Sequence, residues 1–197
     1  MTATPILWQP TPSEIEKSEL SNFANWVKSH HGFDWRNKYR NLWVWSVEYP
    51  DLFWDSIWQW HGVIGLKGKR LLINRDKIPG AQFFPDSSLN FAENLLINAD
   101  GQAALSSHHE DGTIETLTRK ELKERVTAIA GWMQSQGVIK GDRVAAYIPN
   151  IQQAVETMLA AASLGAIYSS CSPDFGFNGV FDRFSQIEPK LLVTVDG

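Results

Sequence analysis

The chain has 197 residues, a formal net charge of -4, 43% hydrophobic and 20% charged residues, and one cysteine, Cys171. That composition is globular and not disordered, excludes an internal disulfide framework and suits a reducing cytoplasm. The mildly acidic balance offers nothing to nucleic acid or an anionic membrane, no apolar run approaches the ~18 residues of a membrane span, and residues 1–10 lack the pattern of a signal peptide.

Eight of the nine tryptophans fall in the first 60 residues, so the chain has two compositional halves. In the first, Ser13 is expected to cap a short helix with Glu14 and Glu16 near its positive end. A second helix begins near Ser18 or Ser21. Leu20, Phe23, Val27 and His30 share one face, and Gly32 stops it. A third opens at Pro50, whose missing N–H is not needed in a first turn. Phe53, Ile57 and Trp60 form one stripe and Trp54, Trp58 and His61 another, so this helix should be buried between two surfaces. The ten aromatic residues from Phe33 to Trp60 read as a packed core, not as an exposed platform for sugars or bases.

Leu71, Leu72 and Ile73 suit a short strand. Lys67, Lys69, Arg70, Arg75 and Lys77 read as a solvated rim, because no helix N-terminus or glycine nest accompanies them. Pro79-Gly80 is a turn, and Asn90 with Glu93 is a capping box for a helix through Leu95 and Leu96. Residues 103–109 and 113–117 flank Asp111-Gly112, which predicts a type I′ hairpin. Thr118 and Glu121 form a second capping box, stapled by Leu117 and Leu122, for a helix that runs through Val126, Ile129, Ala130 and Met133 to Gly137.

From Val144 the pattern is strand, helix, strand, helix, strand: strands at 144–148, 166–170 and 191–195, helices at 152–164 and 178–187. The strands are short and non-alternating, as when both faces are covered, and right-handed crossovers make the sheet parallel. The fold class is therefore α/β: a Trp-rich helical extension followed by a βαβαβ unit. The last strand runs directly into Asp196-Gly197, so further strands are expected to follow.

Chemistry-bearing motifs are sparse. No phosphate loop is present; residues 62–70 come nearest, with Val63 in place of the first glycine and Arg70 in place of Ser or Thr. His30-His31 and His108-His109 are adjacent pairs and read as exposed loop or strand-end histidines, not as metal ligands. Cys171 ends a strand, but no nucleophile elbow surrounds it and no base is signalled, so a buried inert thiol is expected. Asp174, Asp182 and Glu188 make no acid–base pair. Asp182-Arg183 reads as a structural ion pair, although Arg183 is within reach of a ligand at the strand ends. These residues alone give an α/β unit with no complete active site.

Three segments carry a resemblance: Phe83-Phe84-Pro85-Asp86-Ser87-Ser88-Leu89-Asn90-Phe91-Ala92-Glu93-Asn94-Leu95-Leu96, Gly141-Asp142-Arg143-Val144-Ala145-Ala146-Tyr147-Ile148-Pro149-Asn150, and Ser163-Leu164-Gly165-Ala166-Ile167-Tyr168-Ser169-Ser170-Cys171-Ser172-Pro173-Asp174-Phe175-Gly176. They resemble the acetoacetyl-CoA synthetases of the acyl-adenylate-forming (ANL) superfamily, with Phe83 where that family usually shows Trp. The resemblance covers essentially the whole chain and implies the N-terminal portion only: an extension over residues 1–98 and an incomplete AMP-binding domain over 99–197, the opening of an adenylating domain's parallel sheet. It implies a ligase that joins acetoacetate to CoA with ATP and Mg2+ through an acyl-adenylate, acting on small-molecule substrates in the cytoplasm. The phosphate loop, ribose aspartate and lysine that such enzymes use do not occur in these residues, so the chain alone is expected to be inactive, with no catalytic or metal residue in it. Ser172, Pro173, Asp174 and Phe175 are placed by resemblance near the CoA tunnel; a plain strand-to-helix connection is the other reading. Another short-chain acyl-CoA synthetase, or an interaction module that self-associates through its open sheet face, are the rival functions.

Overall fold

The computed structural model describes residues 6–196. It forms two compact units, Met1–Ser88 and Leu89–Gly197. The division falls before the 98/99 boundary that the resemblance implies, because the helix that follows Asn90 packs with the second unit.

The first unit opens with α1 (Pro12–Lys17) and α2 (Glu19–His31). Thr11, not Ser13, caps α1: its hydroxyl accepts from the Glu14 N–H while Glu14 returns to the Thr11 N–H at 2.7 Å. In a capping box the glutamate stands three positions after the cap; Thr11–Glu14 and Ser13–Glu16 both have that spacing, and the helix starts from the first, with Pro12 at its first position. Ser18 caps α2 and Gly32 ends it. Its buried face is Phe23, Ala24 and Val27; Leu20 and His30, expected on that face, are exposed.

Next comes α3 (Tyr39–Glu48), which periodicity did not predict, and then α4 (Pro50–Trp60). Phe23, Trp35, Leu42 and Trp45 are buried together, with Phe53, Ile57 and Trp60 of α4 packed against them. Trp45 stacks on Phe33 with centroids 5.1 Å apart and meets Phe53 edge-on, arrangements that suit the aromatic quadrupole. The other stripe of α4 meets the strand pair β1 (Leu72–Ile73) and β2 (Gln82–Phe83): Trp54 contacts Phe83, and Trp58 contacts Phe84. The helix thus has two aromatic neighbours, as its stripes predicted, but only Ser56 is fully buried and Trp54 is exposed.

The basic run is not simply a solvated rim. Lys67 pairs with Asp55, Arg70 is bidentate to Asp86, and Arg75 donates to the Val47 carbonyl. Gly68 sits at φ +77, and a Cβ there would meet the Asp86 Cβ at 2.5 Å, so only glycine fits beside the Arg70–Asp86 pair.

The second unit contains α5 (Phe91–Leu95), β3 (Ala103–His108), β4 (Ile114–Thr118), α6 (Arg119–Ser135), β5 (Arg143–Tyr147), α7 (Gln152–Ser163), β6 (Ile167–Cys171), α8 (Phe177–Ile187) and β7 (Leu191–Thr194). β3 and β4 pair antiparallel, but the connection spans 109–113 instead of the two residues of a type I′ turn. The Gly112 N–H donates to the His109 carbonyl, Gly112 alone takes positive φ, and the Asp111 carboxylate accepts from the Thr113 N–H. That is a type I turn closed by a left-handed glycine, which Asp-Gly serves equally well. The Thr118–Glu121 capping box and the buried pair Leu117 and Leu122 stand as predicted.

β5 is central in a three-stranded parallel sheet of order β6-β5-β7. Side chains alternate across it. Val144 joins α6 and α7 in one core, and Ala145 and Tyr147 join α8 in the other. The expected two-sided cover holds for β5, whereas Ile167 of β6 and Leu192 of β7 are more than half exposed. Asn90 binds the unit together: its Oδ1 caps α5, and its Nδ2 donates to the Ala162 and Ser163 carbonyls at the end of α7.

Candidate functional site

The strand order places β6 and β7 on opposite sides of β5, with the connecting helices on opposite faces. In such sheets ligands gather at the carboxyl ends of the strands, where the connections diverge. Here those ends are Tyr147, Cys171 and Thr194, which lie in register. The sequence-predicted turn of Ser172, Pro173, Asp174 and Phe175 follows Cys171 at this edge and leads into α8.

The turn is fixed from within and without. The Ser172 Oγ donates to the Asp174 carboxylate at 2.6 Å and accepts from the Asp174 N–H at 3.3 Å; the Phe175 N–H donates to the Ser172 carbonyl at 3.1 Å. From β5, the Tyr147 hydroxyl lies 3.1 Å from the Pro173 carbonyl and 3.0 Å from that of Phe175, so its single proton is shared between the two. From α8, the Arg183 guanidinium lies 4.1 Å above the Phe175 ring and donates to the Gly179 carbonyl. Arg183 therefore spends its charge on an aromatic face, not on the expected pair with Asp182. In the first turns of α8 Phe177 and Phe181 stack at 5.7 Å, both exposed.

Of the residues singled out from sequence, Ser172, Pro173, Asp174 and Phe175 lie together at this edge, and Cys171 lies beneath them, buried with Ala145 and Phe184. The histidine pairs lie elsewhere. His30 and His31 close α2, where His30 stacks on Trp26 and the His31 Nε2 faces the buried Ser56 hydroxyl. Both are helix-end residues against aromatic rings and not loop histidines; His30 is exposed, as expected of the pair, and His31 is half-buried. Because Ser56 donates to the Leu52 carbonyl, its oxygen is left to accept from the His31 ring; the pair pins two helices and does not activate the serine. Among the described residues no group of three or more His, Cys, Asp or Glu is placed to hold a metal ion. Among the described residues no helix is long and apolar enough to cross a membrane.

One residue at the edge escaped sequence reasoning: Tyr147, read only as part of a strand. Arg183, read as half of an ion pair but also as within reach of the strand ends, lies over the Phe175 ring there. The available signal was position: an aromatic with a polar tip as the last residue of a central strand sits where a connection can be held. The turn's own polar side chains satisfy one another, so the edge offers no nucleophile with a base. What it presents to solvent is an aromatic ring, a guanidinium and two further phenyl groups, which suits binding more than bond-making.

At the other end of the sheet the Gly-Asp-Arg-Val run has a structural role. The Arg143 guanidinium donates to the Ile187 and Glu188 carbonyls and so closes α8. Asp142 accepts from the Lys190 ammonium at 2.8 Å and from the Ile139 N–H; both hold its carboxyl below the usual range, the lysine most strongly. An open groove of about 670 Å³ near this end, between α5, α6 and the end of α7, is lined by Asn90, Glu93, Lys123, Thr127 and Ser163 among others, away from the strand ends where ligands gather.

Comparison with known proteins adds three findings. A family model described as AMP-binding enzyme matches residues 98–197. Acetoacetyl-coenzyme A synthetase of Rhizobium meliloti (strain 1021) is 42% identical over 100% of this chain and 30% of its own length, and acetoacetyl-CoA synthetase of Xenopus tropicalis is 42% identical over 97% of this chain and 29% of its own. The solved acetoacetyl-CoA synthetase from Streptomyces lividans superposes with a TM-score of 0.88 at 39% identity, over 98% of this chain and 30% of that one. The chain spans about 30% of the length of the curated relatives it matches.

Proposed function

The chain belongs to the AMP-binding enzyme family, and from that premise we propose that it is the N-terminal part of an acid–thiol ligase that makes acetoacetyl-CoA. In the whole protein, acetoacetate attacks the α-phosphate of ATP to give an acyl-adenylate and pyrophosphate; the CoA thiol then attacks the acyl carbon and AMP leaves. The observation that carries this reading is the match to acetoacetyl-CoA synthetases along the entire chain, in sequence and in fold, and not only over the AMP-binding part.

The residues present fit a supporting role. ATP, Mg2+ and CoA belong to the whole enzyme. Among the described residues no group of three or more His, Cys, Asp or Glu is placed to hold Mg2+. The turn of Ser172, Pro173, Asp174 and Phe175 is the part we assign to the CoA side. Its exposed Phe175 ring, backed by the Arg183 charge, suits a long ligand with apolar and anionic portions. We assign residues 1–98 to the extension and 99–197 to the AMP-binding domain, place the reaction in the cytoplasm, and take small molecules, not nucleic acid or membrane, as its partners. Self-association of the isolated chain follows if the half-exposed β6 and β7 faces find each other.

The test is to assay the full-length polypeptide for pyrophosphate release and thioester formation with acetoacetate and with acetate. Preference for acetoacetate by kcat/KM is expected; equal or better use of acetate overturns the substrate assignment. The 197-residue chain alone is expected to release no pyrophosphate, and release by it contradicts the reading.

A further inference from the structure

We infer that Tyr147 is a positioning residue for the thiol-transfer half of the reaction, acting through the turn at 172–175. This rests on the assignment of that turn to CoA made above. The phenol stands at the carboxyl end of the central strand, and its hydroxyl bridges the Pro173 and Phe175 carbonyls. The other backbone tie from the end of β5 to this connection, the Ile148 N–H to the Cys171 carbonyl, is long at 3.4 Å and precedes the turn.

The Ser172–Asp174 contacts close the first half of the turn on itself but do not attach it to the sheet. The Arg183–Phe175 contact attaches it to α8, which is itself the element that follows the turn. Tyr147 alone among these ties the turn to a strand that is buried on both faces. A rigid strand presenting a short loop through one hydroxyl is the arrangement that holds a ligand-facing loop in a single geometry. Removing the hydroxyl leaves the ring packed against α8 with Val180 and Ile187, so Tyr147→Phe frees the turn without opening the core.

The experiment uses the full-length polypeptide and its Tyr147→Phe variant. Pyrophosphate release from ATP and acetoacetate, which uses no CoA, is expected to keep its rate, while KM for CoA rises about three- to tenfold, the scale of one lost hydrogen bond. Hydrogen exchange at the Asp174 and Phe175 amides is expected to quicken, with the amides of β5 unchanged. Unchanged KM for CoA overturns the inference and leaves the proposed function standing. Faster exchange spread over β5 and α8, with both half-reactions slowed, also overturns it, since a merely structural residue behaves so. A wild-type polypeptide that releases no pyrophosphate with acetoacetate overturns the proposed function, and the inference with it.

Discussion

The two ends of the parallel sheet are held in different ways. At the amino end, charged side chains do the holding: Arg143 closes α8 through two carbonyls, and Lys190 meets Asp142 and the Gly137 carbonyl. At the carboxyl end a neutral phenol and a cation–π contact hold a turn whose polar groups satisfy each other. Hydrogen bonds from charged donors are roughly twice as strong as neutral ones. The amino end is thus fastened by the stronger bonds, and the carboxyl-end turn keeps its single geometry through weaker ones, above all the Tyr147 hydroxyl. The Gly-Asp-Arg-Val motif accordingly serves stability, while the residues after Cys171 are the ones we propose for the ligand side.

The sharpest way to break this comparison is Arg143→Ala in the full-length polypeptide. It should cost about 2 kcal/mol in urea unfolding, because the freed carbonyls of Ile187 and Glu188 lose a charged donor; KM for CoA should hold. A stability loss confined to Tyr147→Phe, with Arg143→Ala neutral, would invert the assignment of the two ends. Tyr147→Phe itself should cost less, about 1 kcal/mol, and show its effect in CoA use.

Acid sensitivity sharpens the contrast. The Asp142 carboxyl lies below its ordinary range in the folded chain, chiefly through Lys190. Its contribution is therefore complete above the ordinary aspartate range, near pH 4, and is lost as pH falls through the depressed value. Asp142→Asn should lower the urea midpoint at neutral pH, where the pair with Lys190 is complete, and flatten its acid limb below about pH 4, so that the two proteins converge as the carboxyl is protonated. The smallest effect is a gain. Glu188 holds φ +45 at the end of α8, and Glu188→Gly, which keeps the carbonyl that Arg143 needs, should raise stability by about 1 kcal/mol in the same assay.

Much of this was legible in local sequence. Caps are read from neighbours, so the Thr118–Glu121 box and the Leu117–Leu122 staple were found as they stand. The βαβαβ core was visible because β5 is buried on both faces, α7 is Ala-rich and α8 carries Val180, Phe181, Phe184 and Ile187. α3 was missed: Lys38 gives no side-chain cap, and tryptophans at both Trp43 and Trp45 blur a helical stripe. The ties that define the site were invisible for another reason. Tyr147 reaches residues 26 and 28 positions on, Arg143 reaches 44 and 45, and Asn90 reaches 72 and 73. Nothing in a local pattern encodes contacts made only when the strands align.

The central question is which end of the sheet meets the ligand. Hydrogen exchange of the full-length polypeptide, with and without CoA in the presence of ATP and acetoacetate, reads this at each amide. Protection at 172–176, with the amides at 139–143 and 188–190 unchanged, is the predicted result. Protection at the amino end with none at the 172–176 turn would contradict it.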